Sequence, residues 1–250
     1  MSNAASNPFD YGRLPLREGL VSAHRDYWRA LSAAGTWFSG AERVAIAAEV
    51  RNALDCPFCA ERKQALSPNA IQGEHLSSTD LPERVVDTVH RVITDQSRIT
   101  PSFINDNAEA GLSEAHYVEL VGIAVTVLSI DEFNRALGLP PEPLPDPTGG
   151  EPSRYRPSQA AHGTGYVAMI PPDGATGDES DLWQPGRTAN VLRALSLVPN
   201  AVREWMAVGA QQYLSFDEMM LFDRIPGRTL HRMQIELIAG RVSSHNECFY

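Results

Sequence analysis

The sequence predicts an all-α fold in which two helical bundle halves pack pseudo-symmetrically and are joined by a proline-rich linker. Val, Ile and Thr never form alternating runs bounded by two-residue turns, so β-strands have little support. Seven of the 18 prolines fall within residues 138–157, a density that is incompatible with a helix. Residues 42–58 align without gaps on residues 234–250, with Cys56 over Cys248, which indicates a duplicated helical unit. The predicted organisation is a helical domain over 1–137, a linker over 138–165 and a second, incomplete helical domain over 166–250.

Helix signals recur through the first half. Residues 17–34 are expected to form the first helix. Ser39 and Glu42 have the spacing of a capping box, in which the serine accepts a hydrogen bond from the third backbone N–H and the glutamate reaches back. Asp80 and Glu83 repeat that spacing, so a further helix is expected to begin there.

The segment that follows Ser113 is apolar almost all round between Val118 and Ile130. A helix without a polar face is buried among other helices, so this one is expected at the centre of the bundle. In the second half, residues 169–186 predict a long surface loop. Helices are expected to return within 190–214 and 228–247.

The apolar residues of the last predicted helix are spaced for one helix face. They are Met233, Leu237, Ile238 and Val242.

Composition and charge narrow the class of protein. The net charge is -10 and no run of Lys or Arg forms a basic stripe, which argues against nucleic-acid binding. No apolar stretch has the length of a membrane span, and the first residues lack the basic and apolar regions of a secretory signal. Three cysteines are too few for a disulfide scaffold. A cytoplasmic protein that binds neither nucleic acid nor membrane is therefore expected.

Residues 55–59 read DCPFC and present two cysteines one helical turn apart. Asp55 is a favourable N-cap and Pro57 is favoured in the first turn, so a helix is expected to begin at Cys56 or just after it. The partial positive charge of a helix N-terminus favours a thiolate, whereas the charge of Asp55 opposes one. The two sulfurs lie on the same side of that turn, so the pair is interpreted as a dithiol that can cycle.

Two other interpretations of the cysteines are open. His75 and His90 would complete a Cys2His2 set, but their spacing matches no zinc-finger pattern. His90 also lies beside apolar helix positions and fits a partly buried core histidine. Inert buried thiols are the other alternative. No metal and no cofactor is expected.

The segment ERVAIAAEVRNALDCPFC and the segment RMQIELIAGRVSSHNECFY resemble the AhpD-like alkylhydroperoxidase and carboxymuconolactone decarboxylase superfamily, here as a tandem member. The resemblance implies a helical fold, a homo-oligomer and a CxxC dithiol that reduces a hydroperoxide before a partner protein re-reduces it. It also implies a proton relay from a Glu twelve residues before the CxxC and a His four residues after it. Cys59 would then be the thiol that meets the peroxide, whereas the helix-terminus argument favours Cys56.

The chain departs from the superfamily pattern at both relay positions of the first half, where Val44 and Lys63 stand. Glu49, two turns before Cys56, is a candidate substitute base, and a solvated or capping role for it is equally open. In the second half Glu236 stands twelve residues before Cys248, but the chain reaches Tyr250 where the next cysteine would follow.

The predicted function is a thiol-dependent peroxidase-like oxidoreductase that acts on a small hydroperoxide and is served by a thiol reductant protein. The candidate catalytic residues are Cys56, Cys59, Glu49, Glu236 and Cys248. A carboxymuconolactone decarboxylase-like enzyme is one alternative, although it would want a cluster of His or Arg that no single segment supplies. A degenerate helical scaffold without catalytic activity is the other, so enzymatic activity itself stays open.

Overall fold

The computed structural model of the chain describes residues 8–12, 14–246 and 248, and over these residues the all-α prediction is confirmed. They contain ten α-helices, three short 3-10 turns and two isolated β-bridges, but no strand. The α-helices are α1 (Glu18–Ser32), α2 (Gly40–Ala53), α3 (Pro57–Gln64), α4 (Glu83–Thr94), α5 (Pro101–Glu109), α6 (Glu114–Ala136), α7 (Asn190–Arg193), α8 (Pro199–Gln212), α9 (Phe216–Met219) and α10 (Arg232–His245).

Within the described ranges no single helix is both long and apolar enough to cross a membrane. Helices α5 and α6 meet the criteria of length and composition only when they are taken together, and they are bent by 113° relative to each other. The predicted absence of a secretory signal falls largely on residues 1–7, which lie outside the described residues.

Helix α6 forms the centre of the bundle, as its sequence predicts. It begins after Ser113, whose hydroxyl accepts a hydrogen bond from the backbone N–H of His116. Its buried residues cover most of its circumference, and it packs against α2, α4 and α5. The helices that hold the candidate site, α2 and α4, are therefore fixed from behind by a long apolar helix.

One of the two predicted capping boxes is present. Ser39 accepts a hydrogen bond from the backbone N–H of Glu42, and the Glu42 carboxylate accepts one from the Ser39 backbone. The box predicted for Asp80 and Glu83 was wrong, because α4 begins after Pro82 and that residue is the N-cap without a side-chain bond. The residue before a proline is restricted to extended conformations, which delays the helix start to Glu83.

Residues 139–157 are extended and contain no helix, as predicted for the linker. They lie along the first helices and do not span open solvent. The backbone N–H of Thr148 donates to the Ser32 carbonyl, and the indole N–H of Trp28 donates to the Pro143 carbonyl. The segment thereby provides hydrogen-bonding partners for a backbone carbonyl and an indole N–H of α1.

The prediction of a loop over residues 169–186 is confirmed, but the loop is only partly on the surface. Ile170, Leu182 and Trp183 are buried in a core that they share with Phe103 of α5 and Val202 of α8. Proline and glycine correctly mark the irregular backbone there, but they do not determine its exposure. The apolar side chains within the segment decide its burial.

The chain divides into two compact units, 1–208 and 209–250, and this boundary differs from the one expected at the linker. Residues 167–202 contribute to a buried core of the first unit. The predicted helical stretch over 190–214 is broken between α7 and α8, because Pro199 begins a new helix and restricts the residue before it. The pseudo-symmetric packing of two halves stays a prediction.

Helix α10 forms where the sequence predicts it, but the apolar face of this helix is exposed. Each of its four predicted apolar residues is more than half exposed: Met233 by 67%, Leu237 by 68%, Ile238 by 54% and Val242 by 55%. The periodicity therefore predicts the helix correctly, while the burial that such a face usually indicates is not found.

A buried ion cluster lies between α2 and α6. Arg43 bonds the Glu204 carboxylate at 2.8 Å and lies 3.6 Å from the Glu119 carboxylate. Glu119 also accepts a hydrogen bond of 2.5 Å from the backbone N–H of Trp37. Burial raises the pKa of Glu119 to about 7, although Arg43 and the Trp37 N–H oppose that rise. Glu119 is therefore a carboxyl group that stays protonated in weak acid.

We expect Glu119→Gln to remove a pH-dependent contribution to stability. A folded pKa above the unfolded one means that the native chain holds a proton that the unfolded chain releases, so this contribution is lost as the pH rises from about 4.5 to about 7. Such a pKa difference corresponds to on the order of 3 kcal/mol. Urea denaturation of both proteins across this range measures it. A constant difference between the two free energies of unfolding would contradict the prediction.

Candidate dithiol site

The two cysteines lie at the start of α3, in the connection that follows α2. Cys56 is the N-cap of α3 and Pro57 occupies its first position, so the predicted helix start is confirmed but the cap is Cys56 and not Asp55. Both thiols are free and buried, with exposed fractions of 2% for Cys56 and 5% for Cys59. Phe58 and Ile71 pack around them.

Two histidines contact the sulfurs. His75, from the segment between α3 and α4, places Nδ1 3.4 Å from Cys59 Sγ and 3.8 Å from Cys56 Sγ. His90, on α4, places Nδ1 3.2 Å from Cys59 Sγ. The two rings are tilted against each other with centroids 4.3 Å apart. Cys59 thus has an imidazole nitrogen on two sides.

Each imidazole is backed by a carboxylate at its other nitrogen. His90 Nε2 lies 3.1 Å from Glu49 Oε1, and His75 Nε2 lies 3.1 Å from Asp87 Oδ1. Because a carboxylate accepts, Nε2 carries the proton in both rings and Nδ1 faces the sulfurs. Nδ1 can then take a proton from a thiol, or donate one back after protonation. Two carboxylate–imidazole–thiol chains converge on Cys59.

Glu49 is fully buried and held by several donors. Its Oε2 accepts hydrogen bonds from Thr79 and Ser77, and its Oε1 accepts one from Asn52. Burial alone would raise the pKa of Glu49, but the bonds from His90, Thr79, Asn52 and Ser77 outweigh it and lower the pKa. Glu49 is therefore a fixed negative charge behind His90.

Asp87 links His75 to a pair of arginines. Its second oxygen lies 2.9 Å from Arg91 Nε, and its first lies 3.6 Å from Arg62. Burial raises the pKa of Asp87, but the bonds to His75 and Arg91 exceed that effect and hold it well below the usual range. The carboxylate behind His75 is consequently ionised at every pH at which the fold would be studied.

The surroundings favour a thiolate at Cys59. Burial raises the pKa of this thiol, but hydrogen bonds from His75 and His90 outweigh burial and lower it to about 5. Burial lowers the pKa of His75, and its bonds to Asp87 and to the two sulfurs reverse that and raise it to about 10. The site therefore contains a Cys59 thiolate beside an imidazolium.

The pKa values of Cys56 and His90 are shifted in the same directions as those of Cys59 and His75. Burial raises the pKa of Cys56, but hydrogen bonds from the Cys59 backbone and from His75 lower it below the ordinary value. Burial lowers the pKa of His90, but its bonds to Cys59 and Glu49 raise it. The helix N-terminus contributes through the backbone N–H of Cys59, which hydrogen-bonds the Cys56 sulfur.

A cavity of about 310 Å³ lies beside the site. His75, Asp87 and Phe58 line it, together with Arg62 and Arg91. Arg62 lies over the Phe58 ring at 4.0 Å, and its Nε and Nη1 atoms are buried without a hydrogen-bond acceptor. His75 borders the cavity and also contacts both sulfurs. It therefore lies between a small molecule in the cavity and Cys59.

The predicted site residues separate into two sets. Cys56, Cys59 and Glu49 come together, with Glu49 acting on Cys59 through His90 and not directly. Glu236 lies in the second compact unit and accepts hydrogen bonds there from Tyr213 and Arg232. Cys248 is exposed and free. Lys63, which stands at one of the two relay positions, is exposed.

Sequence reasoning named His75 and His90 as a possible completion of a Cys2His2 set but set that interpretation aside, and it missed Asp87. His75 lies in an irregular segment 16 residues beyond Cys59, where no periodicity relates it to α3. Asp87 and His90 are three residues apart and share a face of α4, which was the available signal. Their flanking valines favoured a core interpretation instead.

The chain matches no protein-family model, no curated protein and no solved structure. Membership of the AhpD-like superfamily therefore stays a prediction from the two sequence segments.

Proposed function

We propose that the chain is a thiol-dependent, peroxidase-like oxidoreductase in which Cys59 attacks a small hydroperoxide and Cys56 resolves the product. The observation that supports this most strongly is the position of Cys59 Sγ between two imidazole nitrogens, at 3.4 Å and 3.2 Å, each backed by a carboxylate. A nucleophile bonded to a base that a third group orients is the arrangement that activates thiols.

Cys59 is favoured over Cys56 as the nucleophile on geometry. Cys59 is within hydrogen-bonding distance of both imidazoles, whereas Cys56 reaches only His75, at 3.8 Å. This choice agrees with what the family resemblance implies and departs from the helix-terminus argument. The two cysteines are three residues apart at a helix start, which suits formation of a disulfide after a rotamer change.

The first step oxidises Cys59. Its thiolate attacks the terminal peroxide oxygen, so that an S–O bond forms while the O–O bond breaks, and the sulfur gives two electrons to the peroxide. The leaving alkoxide takes a proton from the imidazolium of His90 and departs as an alcohol. Glu49 stabilises the charged ring before this transfer, so its role is to position and to charge His90.

The second step forms the disulfide. The Cys56 sulfur attacks the Cys59 sulfenic acid, the S–O bond breaks, and hydroxide leaves with a proton as water. His75 is within reach of both sulfurs and takes the proton of Cys56. A thiol reductant protein then supplies two electrons and two protons by thiol–disulfide exchange and restores both thiols.

Mixing fully reduced, metal-free protein with one equivalent of hydrogen peroxide tests the proposal. We expect a Cys56–Cys59 disulfide within seconds, identified by peptide mass spectrometry, with Cys248 unmodified. The Cys248→Ser variant is the matched control and should behave like the unmodified chain. If both thiols stay reduced after an hour, the peroxidase proposal fails and the non-catalytic scaffold becomes the better account.

A second candidate function, a decarboxylase-like enzyme for a small carboxylated lactone, is favoured by the cavity. Arg62, Arg84 and Arg91 line it together with His75, which is the cluster that no single segment of the sequence supplies, and Glu74, Glu83 and Asp87 line it as well. Arginine suits a carboxylate, and a histidine next to it suits proton transfer. This function needs no thiol, so the Cys59→Ser variant would retain it and lose peroxide reduction.

A further inference from the structure

We propose that Cys56, Cys59, His75 and His90 also form a tetrahedral binding site for a zinc ion. The inference goes beyond the peroxidase proposal and does not depend on it, because it rests on the positions of four ligand atoms. Those atoms, two Sγ and two imidazole nitrogens, all lie within 4.8 Å of one another. Two thiolates and two imidazoles are a closed ligand set that zinc prefers.

The distances between the ligand atoms fit zinc. Zn–S bonds of about 2.3 Å and Zn–N bonds of about 2.0 Å at tetrahedral angles place a sulfur and a nitrogen about 3.5 Å apart. Three of the four sulfur–nitrogen distances in the site are 3.2, 3.4 and 3.8 Å, and the fourth, from Cys56 to His90, is at most 4.8 Å. A zinc ion would therefore enter the cluster with small side-chain adjustments and no change of backbone.

The second coordination shell supports the same conclusion. Histidines that bind zinc usually donate their other N–H to a carboxylate, which fixes the tautomer and aims the free nitrogen at the metal. Both histidines have such a partner, Glu49 for His90 and Asp87 for His75, each at 3.1 Å. Two matched carboxylate–imidazole pairs exceed what one proton relay to Cys59 requires.

The sulfur of Cys56 has further support of the kind that stabilises a bound thiolate. The backbone N–H groups of Cys59 and Leu76 hydrogen-bond it. Cys56 itself precedes Pro57 at a helix start, so both cysteines project from one rigid turn. Of the four ligands only His75 comes from a segment without regular structure, and Asp87 ties that residue to α4.

Zinc and peroxide would compete for the same thiols. Four protein ligands leave no open position, so a bound zinc ion would protect the dithiol and not activate a substrate. A hydroperoxide that oxidises the site takes two electrons from the two thiolates and two protons from solvent, and becomes an alcohol and water. The resulting disulfide cannot bind the metal as before, so the zinc ion is released.

Zinc titration of the reduced, chelator-treated full chain tests the site. We expect one zinc ion per chain, retained on gel filtration and withdrawn only slowly by a chromogenic chelator. Substitution by Co²⁺ should give the visible absorption of a tetrahedral ion together with thiolate-to-metal charge transfer. This measurement uses the unmodified chain. An octahedral Co²⁺ spectrum, or loss of zinc on gel filtration, would overturn the proposal.

Variants identify the ligands. Cys59→Ser should lower the charge-transfer intensity, because one of the two thiolates is removed, and His75→Gln should weaken zinc binding by removing a nitrogen ligand. Glu49→Gln and Asp87→Asn should each weaken zinc binding about 10–100-fold. The exposed neighbour of His75 provides the matched control Glu74→Gln, which should bind zinc like the unmodified chain. Equal affinity in Asp87→Asn, Glu49→Gln and Glu74→Gln would contradict the second-shell argument and with it the site.

The outcomes separate this inference from the peroxidase proposal. Zinc binding is measured on reduced protein without peroxide, and peroxide reduction is measured on metal-free protein. A chain that binds zinc but whose free thiols ignore peroxide has a structural metal site alone. A chain that forms the disulfide but does not bind zinc has a dithiol alone.

Discussion

Replacing Cys59 by serine is expected to abolish peroxide reduction by the metal-free protein, with a loss of roughly 10³-fold or more in the rate constant. The hydroxyl is nearly isosteric with the thiol and keeps the bonds to His75 and His90, but it is not a thiolate. Replacing Cys56 by serine should instead leave the first reaction intact, because Cys59 keeps both imidazoles. That variant should consume one peroxide per chain and stop as a sulfenic acid.

Stopped-flow consumption of hydrogen peroxide, followed by trapping of the sulfenic acid with a carbon nucleophile, distinguishes these outcomes. The exposed Cys248 provides the control, since Cys248→Ser should change neither the rate nor the product. The reverse assignment of the two cysteines would appear as a burst in Cys59→Ser and none in Cys56→Ser. That result would restore the helix-terminus argument and contradict the geometric one.

The pair of Glu49 and His90 is expected to have the second largest effect. His90→Gln removes the group that takes and returns the proton, and we expect a loss of about 10²–10⁴-fold in the second-order rate constant at neutral pH. Glu49→Gln keeps the shape of the side chain and removes the charge behind His90. We expect it to slow the reaction in the same direction and by less.

The pH profile separates this role from a merely structural one. The reaction requires the Cys59 thiolate and the His90 imidazolium, so the rate of the metal-free chain should rise through the pKa of Cys59, about 5, and fall again where His90 loses its proton. Loss of the His90 bond should move the midpoint upward toward the ordinary cysteine value, about 8.5. A slower variant with an unmoved midpoint would indicate damage to the fold and not to proton transfer. Cys248→Ser should reproduce the unmodified profile.

The sequence predicts the helices around the site better than it predicts which residues make up the site. Pro57 and the preceding residues place a helix start at the cysteines, and the near-continuous apolar sequence of α6 predicts a central helix. These features depend on neighbours in the chain, which propensities and spacing describe. The same holds for Ser39, whose capping box is local.

The histidines could not be predicted in the same way, because their roles depend on contacts between distant segments. His75 is in an irregular connection, and only the packing of α4 beside α3 brings Asp87 and His90 to it. Zinc-finger patterns describe ligands at fixed spacings in one short segment. They therefore do not identify two cysteines and two histidines that tertiary packing brings together. Glu49 was proposed as a base from its helix position, and the structure places His90 between it and the thiol.

The burial of Ile170 and Trp183 and the exposure of the α10 face show the same limit for apolar residues. An apolar helix face or loop residue is usually buried, but whether another element packs against it depends on the tertiary structure. Trp183 is buried in the core near α8, whereas Leu237 is 68% exposed. Periodicity identifies the helices in both regions and does not identify what they pack against.

The most direct test of the account is the pH dependence of alkylation at Cys59 in the reduced, metal-free chain. Iodoacetamide reacts with thiolates, and peptide mass spectrometry resolves Cys59 from Cys56 and from the exposed Cys248. The convergence of two carboxylate-backed imidazoles on one sulfur predicts a midpoint near pH 5 for Cys59, well below the ordinary cysteine value of about 8.5. A Cys59 midpoint at that ordinary value would contradict the claim that this cluster activates the thiol.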